Sequence, residues 1–161
     1  MNVLEPQDIM FKAFEPKLKN RFIMNIDGIN AYLIKAINRP TIEAEEVELR
    51  HMNVSRYVKG KTTWSTLDIT LYDPIVPSAA QQVIEWIRLG HESVTGRDGY
   101  SYFYKKNVTF NLLGPVGDLV EEWELIGAFP LTTNFGELSF EDSTPVEITV
   151  TLRYDYAILK F

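Results

Sequence analysis

Cysteine is absent from this sequence of 161 residues, and histidine occurs only twice. Without thiols the chain cannot form disulfides, thiolate zinc sites or iron–sulfur clusters, and a cysteine nucleophile is excluded. The sequence also contains no HExxH, P-loop, EF-hand or GxGxxG motif. We therefore assign no catalytic residues, no cofactor and no metal site from the sequence.

Long apolar runs and an excess of positive charge are missing as well. No apolar run approaches the ~20 residues of a membrane span, so we expect no membrane insertion. The 16 Lys and Arg residues are outnumbered by 22 Asp and Glu, giving a net charge of −6. This acidic balance disfavours a protein that grips nucleic acid through its whole surface, because phosphate binding needs clustered bases. At this length one domain buries about 70% of the surface that its unfolded chain would expose, so its core needs neither disulfides nor a metal ion for stability.

Alternation of apolar and polar residues predicts most of the chain to be β-strand. A strand over 21–26 meets the favoured turn Asp27-Gly28, which predicts a hairpin with a second strand over 29–37. The segments 43–52 and 64–72 each have two distinct faces and are expected to pair. Further strands are predicted over 102–113, 119–126 and 146–156.

One helix is predicted over 79–89, where Ser78 can cap the first turn and Gly90 follows the last. Its apolar residues follow the spacing of a buried stripe, so it should pack against a sheet. The predicted fold class is mainly β: an antiparallel sandwich or open barrel with one packed α-helix. We expect an N-terminal arm over 1–19 and a single β domain over 20–161.

Two segments are predicted to contact other subunits. A hairpin loop over 53–63 carries three basic residues and an aromatic next to an acidic strand, so a nucleic-acid contact is one interpretation. Because the acidic strand would repel phosphate, docking on an acidic surface of another subunit is the better one. The arm has too few apolar residues, too often interrupted by proline, to form its own core. The predicted contact residues are Phe11, Phe14, Leu18, Arg56, Tyr57, Lys59 and Lys61.

The acidic run over 43–48 permits a different hypothesis. Paired carboxylates carry out glycoside hydrolysis when one of them lies in an apolar pocket of a cleft. A small β-barrel hydrolase that uses these glutamates is therefore a distant alternative to a structural role, and a solvated strand face is the simpler interpretation.

The order of these elements resembles the tail tube protein of contractile-tailed, myovirus-type bacteriophages. The resemblance covers most of the chain, from the first strand at Asn20-Arg21-Phe22 through the turn at Pro40 and the helix over 80–87. Its most specific stretches follow that helix. They are Gly127-Ala128-Phe129-Pro130, Asn134-Phe135-Gly136-Glu137-Leu138 and the terminal strand that ends at 152–156.

The resemblance implies a structural subunit of the virion tail, not an enzyme, that forms homo-hexameric rings stacked into a tube inside a contractile sheath. The sheets of six subunits would join into one continuous barrel, through which duplex DNA passes during genome ejection without specific binding. Sheath, tape-measure and baseplate tube-initiator proteins are the implied partners, and assembly is implied in the cytoplasm of the host bacterium. The tube of a phage-derived injection or secretion system is the alternative in the same structural class.

The polar strand faces are predicted to line the lumen of such a tube. They are net acidic, and a wall that repels phosphate would let DNA slide. Solvated faces of an ordinary sandwich are the alternative interpretation. The predicted lumen-facing residues are Glu46, Glu48, Thr66, Asp68, Thr70, Glu122, Glu124, Glu147, Thr149 and Thr151.

Overall fold

The computed structural model describes residues 14–161, so the predicted contact residue Phe11 lies outside the described residues. The helices are a 3-10 turn (Ala31–Leu33), α1 (Ala79–Gly90) and α2 (Ser101–Tyr104). The strands are β1 (Phe22–Asn25), β2 (Ile34–Ile37), β3 (Ile42–His51), β4 (Val54–Trp64), β5 (Leu67–Tyr72), β6 (Lys106–Leu113), β7 (Leu119–Asn134), β8 (Glu147–Arg153) and β9 (Tyr156–Leu159). The predicted mainly β, antiparallel fold with a packed helix is confirmed.

Seven strands pair antiparallel, six of them in the order β1-β6-β7-β8-β5-β2 with β9 added beside β7. Strand β7, with 16 residues, takes part in two sheets. Its first part pairs with β6 and β9, and its last part, from Phe129, pairs with β8. We call β1, β6, β9 and the first part of β7 the first sheet. The second sheet consists of β2, β5, β8 and the last part of β7.

The chain passes between the two sheets at Gly127. This glycine has φ +67, and a Cβ here would lie 2.4 Å from Oδ2 of Asp155. Another residue would need both a left-handed backbone and a displaced carboxylate, so glycine fits this corner best. A register shift between Pro130 and Thr132 completes the bend. Corners of this kind let one strand serve two packed sheets.

The core lies between the sheets and against α1. Ile69 in β5 and Val150 in β8 are each 1% exposed, and Val83 and Trp86 of α1 join the same cluster. The helix begins as predicted, because Oγ of Ser78 accepts a hydrogen bond from the Gln81 amide at 3.4 Å. Removing these apolar side chains from water stabilises the folded chain by about 25 cal/mol per Å² of buried apolar surface, which is the main driving force for the fold.

The predicted hairpin over 21–37 is wrong in its pairing. The turn at Asp27-Gly28 forms, and the Ile29 amide donates to the Ile26 carbonyl at 3.1 Å. However, β1 pairs with β6 and β2 pairs with β5, so the two strands belong to different sheets. Ile26 and Ile29, on either side of the turn, are both buried in the core. At this turn the chain therefore passes from the first sheet to the second instead of folding back on β1.

Three further boundaries differ from the prediction. Residues 102–104 belong to the short helix α2, whose Tyr104 carbonyl accepts a hydrogen bond from Nε1 of Trp86 at 2.7 Å. Strand β7 continues to Asn134 because its last part pairs with β8. The residues after 156 form β9 on the first sheet.

The predicted hairpin loop over 53–63 is strand β4, and the turn consists of Met52 and Asn53 alone. The register is continuous from Ile42↔Trp64 to His51↔Val54 apart from one bulge, so no residues are left over for a loop. Thr66, predicted on a strand face, lies between β4 and β5. Within 14–161, no helix is long and apolar enough to cross a membrane.

Candidate assembly surfaces

Strands β3 and β4 form a two-stranded sheet of their own, which we call the projecting hairpin (42–64). It continues the chain between the paired strands β2 and β5. Every residue of β3 is exposed, and β4 is exposed except at Gly60 and Trp64. Ten residues of extended strand span about 34 Å, and a lone two-stranded hairpin is marginally stable in water. The projecting hairpin therefore has the properties of a surface that is covered by a partner.

The two faces of the projecting hairpin differ in chemistry. On the polar face Glu46 lies opposite Lys59 and Glu48 lies opposite Tyr57. Oε1 of Glu48 also accepts a hydrogen bond from Nε of Arg50 at 2.9 Å. The opposite face carries an exposed apolar set with Arg56 opposite Leu49. The apolar members of that set are Val47, Leu49, Val54 and Val58.

The predicted contact residues of this segment therefore do not share one face. Lys59 and Tyr57 accompany the glutamates, and Arg56 accompanies the apolar set. Lys61 lies at the bulge, where the register shifts after Ala44. All four are exposed, so both faces of the projecting hairpin can meet a neighbour.

The base of the projecting hairpin is fixed to the sandwich. The ring of Trp64 lies 6.2 Å from the ring of Tyr154, and the Ser65 amide donates to the Thr41 carbonyl at 2.9 Å. Burial raises the pKa of Tyr154 above its ordinary value. The neutral phenol of Tyr154 is thus part of an apolar contact between the hairpin and the sandwich. This contact fixes the direction in which the exposed end of the hairpin projects.

A buried carboxylate ties three segments together beside this base. Glu121 of β7 is only 4% exposed, and it is bonded to Lys17, to Nε1 of Trp123 and, at 3.4 Å, to Arg39. Burial raises the pKa of Glu121, but the hydrogen bonds from Lys17 and Trp123 outweigh it, and the pKa lies below its ordinary value. Sequence reasoning missed this cluster. The only signal was an acid at an inward-facing position of a predicted strand.

The cluster also bears on the predicted N-terminal arm. Lys17 reaches Glu121, so this part of the arm contacts its own subunit. Leu18 is 38% exposed and lines a groove with Phe22 and Ile37, and Phe14 is 68% exposed. A neighbour could therefore still reach Phe14 and Leu18.

The outward face of the second sheet brings together one group of the predicted lumen residues. Thr151 lies beside Asp68, and its hydroxyl donates to Oδ1 of Asp68 at 2.7 Å. Lys35 pairs with Glu147, and the hydrogen bond to Glu147 raises the pKa of Lys35. The residues of the predicted set on this face are Asp68, Thr70, Glu147, Thr149 and Thr151.

This face is not acidic, unlike the predicted set as a whole. The carboxylates of Asp68 and Glu147 are balanced by Lys35 and Arg153 on the same side of the strands. Between these charges lie threonines, whose side chains are small and uncharged. The outward face of the second sheet therefore has no excess of positive or negative charge.

The other predicted lumen residues lie elsewhere. Glu122 and Glu124 are on the outward face of the first sheet, where Lys160 lies 3.8 Å and 3.3 Å from them. Glu46 and Glu48 are on the projecting hairpin. Because the core separates the outward faces of the two sheets, the ten residues cannot line one surface of a single subunit. The prediction treated all polar strand faces as equivalent, and the topology distinguishes them.

The loop between β7 and β8, which we call the acidic loop (135–146), carries three acids and no base. Phe140 is fully exposed and Leu138 is 85% exposed. The loop surrounds an open pocket of about 860 Å³ together with Glu147. Exposed large apolar side chains next to carboxylates make this loop a second candidate contact surface.

The hydrolase hypothesis finds no support in this geometry. Residues 43–48 are all exposed on the projecting hairpin, whereas a pair of hydrolytic carboxylates needs a cleft. Among the described residues, no group of three or more His, Asp or Glu side chains could hold a metal ion.

Comparisons with known proteins agree with these observations. A family model described as T4-like virus tail tube protein gp19 matches residues 18–158. No curated protein matches the chain significantly. Many solved structures match the chain, and three of them illustrate the shared fold. They are the sheath/tube terminator of an extracellular contractile injection system in its extended state (TM-score 0.75, 17% identity, 93% of this chain and 100% of that chain), the tube-terminating cap of the anti-feeding prophage (0.74, 15%, 98% and 99%), and a chain of the sheath-tube complex of the injection system (0.64, 17%, 90% and 91%).

Proposed function

The chain belongs to the T4-like virus tail tube protein family and is a structural subunit of a virion tail tube, and from this premise we propose that six copies close into a ring. Stacked rings would form the tube, inside a contractile sheath. The second sheet is the observation that carries this proposal. It has four strands, and within 14–161 no strand pairs with the outer edge of β2 or of the last part of β7. An unpaired edge is a template for another strand.

These two edges lie on opposite sides of one sheet, so β2 of one copy can pair with β7 of the next. Six copies with four strands each give about 24 strands, and at ~4.8 Å spacing and ~40° tilt the backbone radius is roughly 24 Å. A barrel of this radius leaves room for duplex DNA after side chains are subtracted. Closure removes all six pairs of edges, which is a physical reason for the ring.

We propose that the outward face of the second sheet lines the lumen. Its threonines and balanced charges would pass DNA without specific binding, because a basic wall would hold phosphates by counterion release. Of the ten predicted lumen residues, this assigns Asp68, Thr70, Glu147, Thr149 and Thr151 to the channel. Glu122 and Glu124 would then face outward.

The proposed partners follow from the family and from the fold. The injection-system chain that shares this fold belongs to a sheath-tube complex, and a sheath protein is the proposed partner of the outer surface here. Tape-measure and baseplate tube-initiator proteins would set the length and the start of the tube. Assembly would take place in the cytoplasm of the host bacterium before genome ejection.

Electron microscopy of the purified chain tests the assembly. We expect rings with six-fold symmetry or hollow tubes at high protein concentration. A chain that stays monomeric under all assembly conditions, including the presence of a tube-initiator complex, would refute the proposal.

The absence of cysteine allows a sharper test of the lumen. Thr149→Cys on the second sheet and Glu124→Cys on the first sheet each introduce the only thiol of the chain. In assembled tubes, Thr149→Cys should react with a small maleimide but not with a maleimide on a long polyethylene glycol chain. Glu124→Cys is the matched control and should react with both, as should both free monomers. The opposite pattern would assign the lumen to the first sheet.

A further inference from the structure

We propose that Glu121 is a positioning residue for assembly, because its buried carboxylate holds the N-terminal segment (14–21) and the root of the projecting hairpin in one fixed arrangement. This inference rests on the proposed tube function. Both segments carry predicted contact residues, and neither belongs to the sandwich. Among residues 14–161, Glu121 is the one buried residue that is polar or charged.

The carboxylate joins two segments that leave the sandwich at different points. Nζ of Lys17 donates to Oε2 of Glu121, and a guanidinium nitrogen of Arg39 donates to Oε1 at 3.4 Å. Lys17 precedes β1, and Arg39 lies between β2 and the projecting hairpin. Within 14–161, neither base has a second ion-pair partner. One side chain is therefore the shared partner of both segments.

The core strands hold this carboxylate from the other side. Nε1 of Trp123 donates to Oε1 of Glu121, and the Trp123 ring stacks on Phe110 of β6. Leu112, also in β6, lies opposite Glu121. The carboxylate is therefore fixed among an indole and apolar side chains of the core, while its two charged partners belong to segments outside the core.

Stability alone does not require a carboxylate at this position. The side chains of Lys17 and Arg39 are 49% and 60% exposed, so both bases would remain solvated without Glu121. Replacing a buried ionic group by a well-packed apolar side chain is often neutral or stabilising, because burying a charge costs its hydration. An apolar side chain does not supply direction, whereas charge-assisted hydrogen bonds fix their donors in distance and angle. The carboxylate thus contributes position more than burial.

The root of the projecting hairpin gains a contact with the first sheet in this way. The Asn38 amide donates to the Asp68 carbonyl of the second sheet at 3.4 Å. Arg39 follows directly and reaches Glu121 in the first sheet. A hairpin strand of ten residues is about 34 Å long, so a rotation of about 10° at the root moves the tip by about 6 Å. Holding the root from both sheets keeps the tip in place.

An arrangement that is fixed before contact lowers the cost of assembly. Association orders loops and side chains at an interface, and this ordering opposes binding. A copy whose N-terminal segment and hairpin already have fixed positions loses less conformational entropy when its neighbours join it. The loss of Glu121 should therefore impair tube growth more than folding.

The first test separates tube growth from folding. Glu121→Met should keep the midpoint of chemical unfolding close to that of the wild type and raise the protein concentration needed for tube growth by about tenfold or more. Glu122→Met is the matched control, because it makes the same change at the next residue, on the outward face of the first sheet. It should assemble as the wild type does. A folded Glu121→Met chain that assembles normally overturns the inference.

Distance measurements read the positions of the two segments directly and do not depend on assembly. The chain has no cysteine, so pairs of introduced thiols can carry spin labels without competition. Met52→Cys labels the hairpin tip, Glu15→Cys labels the N-terminal segment, and Val116→Cys between β6 and β7 is the reference; all three positions are exposed. Electron paramagnetic resonance then gives the distribution of distances from each segment to the reference. Glu121→Met should widen both distributions by about twofold or more, and Glu122→Met should widen neither.

Variants of the two exposed bases provide a further test, which does not require Glu121→Met to fold. Arg39→Gln should widen the distribution measured from the hairpin tip, and Lys17→Gln should widen the distribution measured from the N-terminal segment. Lys17→Arg keeps the charge and should restore the width of the wild type. Lys19→Gln is the matched control, because it changes another exposed lysine of the same segment.

The outcomes separate the two levels of the proposal. Unchanged distance distributions in Glu121→Met, or in both base variants, overturn the inference and leave the tube function standing. A wild-type chain that never assembles overturns the tube function and, with it, the role of Glu121 in assembly.

Discussion

The sandwich and the projecting hairpin have the same alternating sequence pattern and opposite surroundings. In the sandwich, Ile69 and Val150 are each 1% exposed, because the first sheet and α1 cover them. In the hairpin, Val47 and Val58 face each other across the strands and remain 43% and 48% exposed. The difference teaches that alternation specifies a strand with an apolar face but not what covers that face. In this protein we assign one cover to the same chain and the other to a neighbour.

The largest effect on the isolated subunit is expected from a core truncation. Phe110 is 0% exposed and its ring stacks on Trp123 at 6.3 Å. Phe110→Ala should lower the free energy of unfolding by about 3–5 kcal/mol, through lost burial and the cavity that remains. Chemical denaturation followed by tryptophan fluorescence measures it. Tyr57→Ala on the hairpin is the control, and a comparable loss there would contradict the view that the hairpin is uncovered in the monomer.

The next effect concerns the buried carboxylate beside the base of the projecting hairpin. Glu121→Gln should cost about 1–3 kcal/mol at pH 7, because the bonds to Lys17 and Arg39 lose their charge. Glu122→Gln, at a carboxylate 3.8 Å from Lys160, is the matched control and should cost less.

The same variant predicts a pH dependence. The pKa of Glu121 is lowered in the folded chain, so its contribution is complete above the unfolded carboxyl pKa of about 4.3 and is lost as the pH falls through the folded value. The stabilities of wild type and variant should therefore begin to converge as the pH falls below this unfolded value, and should coincide once the pH lies below the folded pKa. Curves that stay equally separated at low pH would argue that the loss came from packing rather than from charge.

A smaller and local effect is expected at the tip of the projecting hairpin. Met52 is 89% exposed and has φ +54, a left-handed conformation that costs a residue with a side chain about 1 kcal/mol. Met52→Gly should slow hydrogen exchange of the hairpin amides and leave the melting temperature of the sandwich unchanged. Faster exchange would show that the methionine side chain itself stabilises the turn.

The smallest effect on the monomer should accompany a large effect on assembly. Val47→Thr with Val58→Thr keeps the β-branched shape and removes apolar surface from the exposed face. Its free energy of unfolding should stay within about 0.5 kcal/mol of the wild type. Tube growth, followed by light scattering, should be strongly reduced. Ile69→Thr with Val150→Thr, the same change in the sandwich, should instead destabilise the folded subunit, because each hydroxyl is buried there away from water.

The strands and the helix were predictable because their signals are local. Ser78 caps α1 where the sequence placed it, and the alternation over 146–156 contains β8. The pairing of β1 and the length of β7 were not predictable in this way, because partners distant in sequence decide them. The prediction of a loop over 53–63 was wrong for a related reason. Its basic and polar residues are typical of loops, but β3 supplies a complete hydrogen-bonding partner and holds them extended.

The sequence by itself determined the chemistry of each strand: which residues are apolar, which are charged, and that no thiol is present. It also carried the resemblance to tail tube proteins, which the family match confirms. Only the tertiary structure decided which polar residues share a face. Glu122 and Thr149 lie on the outward faces of different sheets because β7 turns at Gly127, and Glu121 is buried because Lys17 and Arg39 converge on it. Such arrangements depend on contacts between residues that are distant in sequence, and a local sequence pattern contains no information about those contacts.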